Sequence, residues 1–76
     1  MFVHILVIPK KHYSSLKEIE DFSVMADLFG AVSKITKEKN ISDFRTVINT
    51  GSEAGQSVFH IHVHILAGRL LNWPPG

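Results

Sequence analysis

The chain has 76 residues, no cysteine, and 8 basic against 7 acidic side chains, for a formal net charge of +1. This length predicts one small domain, and the lack of cysteine excludes disulfide frameworks, thiolate nucleophiles and thiolate zinc sites. The scattered, nearly balanced charges and the absence of a long apolar run argue against a nucleic-acid polymer or a membrane as partner and favour a cytoplasmic protein.

The predicted elements follow one another within a single domain, residues 1–76. Residues 2–8 are almost continuously apolar and rich in β-branched side chains, which predicts a strand buried on both faces and ended by Pro9. Apolar residues at helical spacing predict one long helix from about residue 21 to residue 39. A second strand is predicted at 44–49, and a polar loop with two glycines follows it.

The predicted helix carries an apolar stripe that one side of a small sheet does not cover. Gly30 lies beside this stripe and permits close approach of another helix. A domain of this size also buries only about 60% of the surface of its unfolded chain, so a partner would stabilise it. We therefore expect a homodimer formed through the helix and the C-terminal tail. The stripe consists of Phe22, Met25, Leu28, Phe29, Val32 and Ile35.

A third strand, predicted from residue 57 or 58 to residue 66, carries three histidines at alternate positions. Successive side chains of a strand point to opposite faces, so His60, His62 and His64 share one face. The opposite face then carries the apolar side chains that pack into the core, Phe59, Ile61, Val63 and Ile65. The order strand, helix, strand, strand predicts an α+β domain with a largely antiparallel sheet.

Three roles are open to a row of three imidazoles. Zinc favours imidazole, but residues four apart on a strand lie about 13 Å apart, so three in a row do not converge on one ion unless His4 contributes. A histidine nucleophile beside the Gly- and Ser-containing loop 51–57 fits a phosphoester or phosphoramide. The third role is purely structural, with histidines that only satisfy hydrogen bonds or lie on a solvated face.

The run His60-Ile61-His62-Val63-His64-Ile65-Leu66 resembles the motif H-φ-H-φ-H-φ-φ, with φ apolar, of the histidine triad (HIT) superfamily. Segments 4–12, 49–52, 55–59 and 72–76 further resemble its Hint branch, the purine nucleoside phosphoramidases. The resemblance spans essentially the whole chain in order. It implies a HIT-like α+β fold with one long helix.

The resemblance implies hydrolysis of a purine nucleoside 5'-phosphoramidate through a nucleotidyl-histidine intermediate, with neither cofactor nor metal. His62 would attack the α-phosphorus, and His64 would contact the phosphate or leaving group and assist proton transfer. His60 would orient the nucleophile through its backbone carbonyl, and His4 would belong to the supporting polar network. The tail with Trp73 would approach the active site of the partner subunit.

By the same resemblance, four further residues contribute to nucleotide binding beside His62 and His64. Asn49 and the segment of Gly55, Gln56 and Ser57 match positions that bind the ribose and phosphate, with the Ser57 hydroxyl near the leaving group. Donors aimed at phosphoryl oxygens would stabilise the charge of the transition state.

Proteins of the Hint branch carry a further N-terminal portion that supplies a strand hairpin, much of the purine pocket and an acidic residue for the ribose. We therefore interpret the chain as the C-terminal part of the usual domain, N-terminally truncated, with weakened activity. Two alternatives stay open: a zinc-binding module that uses the histidine face, and a catalytically silent interaction domain.

Overall fold

A computed structural model describes residues 2–76 and gives a helix packed on one face of an antiparallel sheet. The three strands have the spatial order β1-β3-β2. These elements confirm the predicted α+β class with an antiparallel sheet and one long helix. They are β1 (Val3–Val7), a 3-10 helix (Leu16–Glu18), α1 (Phe22–Glu38), β2 (Arg45–Val47), a 3-10 helix (Ser52–Ala54) and β3 (Val63–Ala67).

Helix α1 begins and ends near the predicted residues. The Asp21 carboxylate accepts hydrogen bonds from the hydroxyl and the main-chain N–H of Ser23, which caps the first turn and lowers the pKa of Asp21. After Glu38 the chain leaves the helix, and Asn40 takes a left-handed conformation at φ 55°. No helix within residues 2–76 is long and apolar enough to cross a membrane.

The core lies between α1 and one face of the sheet. Leu28 and Val32 of α1 are buried against Val63 and Ile65 of β3, which are fully enclosed. Burial of such branched side chains contributes about 1.5–3 kcal/mol each, so the apolar face of β3 is the main anchor of the domain. The opposite face of the same strand is thereby left to the histidines.

Strand β1 is buried on one face only, so the prediction of burial on both faces was wrong. Its residues alternate between half-buried or buried and exposed side chains, with His4 and Leu6 on the exposed face. The reason is that α1 covers only the other face, where Ile5 and Val7 join the core. Exposed apolar side chains therefore surround the histidine face.

Strand β3 begins at Val63, several residues later than predicted. Pairing with β1 stops at Val7 and Val63, because continuing the register would bring Pro9, which has no N–H, opposite Ile61. Residues 57–62 are consequently irregular, and Phe59, predicted in the core, is 54% exposed. The alternation nevertheless holds from His60 onward, with buried Ile61 between half-buried histidines.

We predict self-association through the outer face of α1, since two phenylalanines of the stripe remain uncovered. Phe22 is 74% exposed, Phe29 is 47% exposed, and the space beside Gly30 is open. Sedimentation velocity at micromolar concentrations should show a dimer that Phe29→Glu shifts towards monomer. Phe44→Glu, at a similarly exposed site outside the helix, should leave the dimer intact. A monomer across the measurable range for the unaltered chain would contradict the prediction.

Candidate functional site

Pairing of β1 with β3 brings His4 and His64 together on the exposed face of the sheet. His4 lies opposite Leu66 and Leu6 lies opposite His64, so the two histidines are diagonal neighbours. Their rings are joined by a hydrogen bond of 2.8 Å between His4 Nε2 and His64 Nδ1. One of these nitrogens donates and the other accepts. The sheet register thus couples two imidazoles that are 60 residues apart in sequence.

His62 is held by a hydrogen bond to its own chain two residues earlier. Its Nδ1–H donates to the carbonyl oxygen of His60 over 2.7 Å. A carbonyl offers only lone pairs, so Nδ1 must carry the hydrogen, and Nε2 keeps the lone pair whenever the ring is neutral. The His62 ring also meets the His64 ring edge-on at 4.8 Å between centroids.

The His60 ring is held by the segment that follows β1. Its Nε2–H donates to the carbonyl oxygen of Pro9 over 3.2 Å, and the exposed His12 ring meets it edge-on at 4.8 Å. The structure therefore gives His60 two separate contacts: its ring with residues 9–12 and its carbonyl with His62. The contact of His12 had no sequence signal, because it depends on the path of the chain after β1.

The surroundings of His64 lower the pKa of its ring. Burial lowers the pKa of His64, and the charges of His62 and His4 lower it further. The Nε2 atom of His64 is buried and has no hydrogen-bond partner within residues 2–76. A buried, unsatisfied polar atom costs about 1–3 kcal/mol, so this nitrogen favours any group that brings a complementary hydrogen-bond partner.

The loop before the histidines is shaped by two glycines and closed by Gln56. Gly51 and Gly55 have positive φ angles of 89° and 101°, which other residues adopt only with strain. Gln56 is buried, and its side-chain oxygen accepts a hydrogen bond from the main-chain N–H of Gly51. The Asn49 side chain lies against Gly55, where an added Cβ would be 3.8 Å away. Direct contact of Gln56 with a nucleotide stays a prediction.

Asn49 also lies on the path from β2 towards the histidines. Val47 pairs with His64 in the antiparallel ladder. Continuing the same register by two residues brings Asn49 opposite His62. Ser57 is exposed in the irregular segment after the loop. The structure thus brings together His4, His60, His62 and His64, and it places the Asn49 side chain beside Gly55.

The C-terminal tail is attached to the sheet through Arg45. The Arg45 guanidinium donates to the carbonyl oxygen of Asn72 over 3.0 Å, and its carbon lies 5.8 Å from the centre of the exposed Trp73 ring. Sequence analysis assigned no role to Arg45, and no local pattern reveals a contact across 27 positions. The approach of Trp73 to a partner subunit stays a prediction.

Within the described residues, no group of three or more His, Cys, Asp or Glu side chains has a geometry that could hold a metal ion. His4 and His64, which are hydrogen-bonded, direct nitrogens at each other rather than at a common point. No observation at this site favours the zinc-binding alternative.

Comparison with known proteins identifies related sequences and structures over almost the whole chain. A family model described as HIT domain matches residues 1–71. An uncharacterized HIT-like protein of Synechocystis is 46% identical over 77 residues, a match that covers 97% of this chain and 68% of that protein. The chain therefore spans about two thirds of the length of this relative.

Solved structures share the fold as well. A HIT family hydrolase of Legionella pneumophila superposes with a TM-score of 0.89 and 38% identity, covering 96% of this chain and 69% of that one. A histidine triad nucleotide-binding protein of Candida albicans gives a TM-score of 0.78 and 29% identity, covering 93% of this chain and 59% of that one. Both extend beyond the region that they share with this chain.

We predict that protonation of His64 destabilises the fold. Because the pKa in the folded protein is lowered from 6.5, the unfolded chain binds this proton more readily. The His64 contribution to the free energy of unfolding is complete above about pH 6.5 and is lost as pH falls from there through the lowered pKa. The midpoint of thermal unfolding should drop less from pH 8 to pH 5 for His64→Gln than for the unaltered chain.

His12→Gln, at an exposed ring, serves as the control for this measurement. An equal drop of the midpoint in His64→Gln and in the unaltered chain would contradict the prediction.

Proposed function

The chain belongs to the HIT domain family, and on that premise we propose that it is a cytoplasmic nucleotide hydrolase of the Hint branch. Its substrates would be purine nucleoside 5'-phosphoramidates. Two neighbours support this proposal, since one is described as a HIT family hydrolase and another as a histidine triad nucleotide-binding protein. The observation that carries it is the hydrogen bond from His62 to the carbonyl of His60, which leaves Nε2 of His62 available as a nucleophile.

In the first proposed step, the lone pair on His62 Nε2 attacks the α-phosphorus, and the bond from phosphorus to the amine nitrogen breaks. The departing amine takes up a proton, for which Ser57 and His64 are the proposed donors or relays. Attack leaves positive charge on the His62 ring. The hydrogen bond of 2.7 Å from Nδ1–H to the His60 carbonyl then becomes charge-assisted and stabilises that charge.

In the second proposed step, water attacks the phosphorus, the bond between phosphorus and His62 Nε2 breaks, and the water gives up a proton to the group that protonated the amine. The products are the nucleoside 5'-monophosphate and free His62, so atoms and charge balance without a cofactor. The same hydrogen bond restores the starting tautomer, because Nδ1 keeps its hydrogen throughout. His62 therefore serves as nucleophile in one step and leaving group in the next.

The role proposed for His64 rests on its buried nitrogen. The lowered pKa keeps the ring neutral near pH 7, and Nε2 is unsatisfied within the described residues. A phosphoryl oxygen or an amine beside His62 would supply the missing partner. The hydrogen bond with His4 fixes the orientation of the ring during this contact.

The phosphate and ribose are proposed to lie between the histidines and the loop 51–57. The Asn49 side chain lies beside Gly55, and Ser57 is the last residue of the loop. In the proposed homodimer, the tail with Trp73 would approach the site of the partner subunit. The purine is proposed to stay largely unenclosed by residues 2–76.

We expect a nucleotide adduct on His62, since the proposed mechanism is covalent. Incubation with an adenosine phosphoramidate, quenching without acid and peptide mass spectrometry should locate AMP on that ring. His62→Ala should lower turnover at least about a thousandfold, because no other group replaces the nucleophile. His12→Ala, at a histidine outside the proposed chemistry, should retain most activity. An adduct on Ser57, or turnover that survives His62→Ala, would refute the assignment.

We also expect poor discrimination between bases. A well-formed apolar slot separates ligands that differ by one small group by about 1–3 kcal/mol, and an open site separates them by less. Calorimetric titration should therefore give similar affinities for AMP and UMP, carried mainly by the phosphate. A preference for AMP beyond about tenfold, equivalent to about 1.4 kcal/mol, would show that this chain or its dimer encloses the purine.

A further inference from the structure

Gln56 is one of two buried polar side chains within residues 2–76; like Thr36, it is only 4% exposed. Burying an amide is unfavourable unless its hydrogen bonds are replaced. Here they are replaced: Oε1 accepts from the main-chain N–H of Gly51 over 2.8 Å, and Nε2 donates to the carbonyls of Ser14 and Val58 over 2.7 and 3.2 Å. Both amide hydrogens are therefore used inside the protein.

The bonds of Gln56 close the glycine loop from both sides. Its main-chain N–H donates to the Gly51 carbonyl over 3.0 Å, while its side chain accepts from the Gly51 N–H. The two ends of segment 51–56 are thus joined by a pair of hydrogen bonds that involve only these two residues. The positive φ angles of Gly51 and Gly55 let the chain complete this tight ring.

The same side chain ties the loop to the segment that also holds the histidines. Gln56 Nε2 donates to Ser14, Ile61 N–H donates to the Tyr13 carbonyl over 2.7 Å, and His60 Nε2–H donates to Pro9. Segment 9–14 therefore supports both the loop and the backbone that presents His62. The relative position of loop and nucleophile depends on this shared support.

We propose that Gln56 is a positioning residue, which acts on a bound phosphate through the loop rather than by touching it. The inference rests on the proposed function, because the phosphate is that of the nucleotide. The amide hydrogens of Gln56 are already bonded to the carbonyls of Ser14 and Val58, so a nucleotide could use them only by breaking these bonds. What Gln56 supplies is a fixed loop beside His62, prepared before the ligand arrives.

The decisive variant is Gln56→Glu, which keeps the size and shape of the side chain but replaces the Nε2 donor by an acceptor. The new carboxylate oxygen would face the carbonyls of Ser14 and Val58, and the loop should move to relieve the repulsion. Calorimetric titration at pH 8 should show AMP binding weakened about tenfold or more. Lowering the pH should narrow the difference in AMP affinity between Gln56→Glu and the unaltered chain, because a protonated carboxyl regains one donor.

Thr36→Val is the matched control. Thr36 is equally buried and donates from its hydroxyl to the Val32 carbonyl over 2.9 Å, but it lies in α1. Its replacement should lower thermal stability without changing AMP affinity of the folded protein. Gln56→Met, which removes the polar group without adding charge, should weaken binding with no recovery at low pH, and it replaces Gln56→Glu if that variant does not fold.

AMP binding as tight in the Gln56 variants as in the unaltered chain would overturn the inference, as would an equal loss of affinity in Thr36→Val. The proposed function fails separately, through absence of phosphoramidate hydrolysis by the unaltered chain, whereas the inference is decided by binding of AMP without turnover. Absence of AMP binding by the unaltered chain would overturn both.

Discussion

The hydrogen bond from His62 Nδ1–H to the carbonyl of His60 is the interaction on which the histidine site depends. The ring reaches back by two residues to a main-chain carbonyl in the irregular segment before β3, where no strand pairing occupies that carbonyl. The bond fixes the tautomer of His62, and through it the chemistry that the ring can perform.

Pro9 connects the architecture of the sheet to this geometry. It has no N–H, so the β1–β3 ladder ends before it, and residues 60–62 are free of strand pairing. Its carbonyl then accepts the hydrogen bond from the His60 ring. A single residue thus ends one element and supports the first histidine. Because Ile61 and Val63 are buried on the opposite face, the alternation of buried and half-buried side chains extends into the unpaired residues before β3.

Three of the clustered histidine rings make two kinds of hydrogen bond, one to the main chain and one between rings. The His62 ring is bonded to the main chain, whereas the His4 and His64 rings share one hydrogen between them. Burial lowers the pKa of His64, which favours the neutral form of this ring around pH 7. An imidazole with a fixed tautomer beside a neutral, partly unsatisfied imidazole suits the attack on phosphorus that we propose.

Periodicity in the sequence was sufficient to predict the helix, the antiparallel α+β class and the common face of the three histidines. It failed where a residue's environment depends on long-range pairing. Phe59 was expected in the core because the strand was drawn too long, and only the register with β1 shows where pairing stops. Burial on both faces of β1 was expected from its composition, which does not reveal that one helix covers one face.

Polar contacts between distant segments could not be predicted from sequence patterns for a similar reason. Nothing local distinguishes Gln56, whose amide meets Ser14 across 42 positions, from an exposed glutamine. Arg45 and Asn72 likewise come together only because the tail returns across β2. The resemblance to a family predicted a set of site residues; the structure adds which atoms of those residues are already bonded within the protein.

The tautomer of His62 is the quantity that tests this account most directly. Long-range ¹H–¹⁵N correlation spectra of the ligand-free chain at pH 8, with assignment by comparison with His62→Gln, distinguish a protonated Nδ1 from a protonated Nε2. The hydrogen bond to the His60 carbonyl predicts that His62 carries its hydrogen on Nδ1 and leaves Nε2 unprotonated. A neutral His62 protonated mainly on Nε2 would contradict the account, since the nitrogen assigned to attack would then have no lone pair to offer.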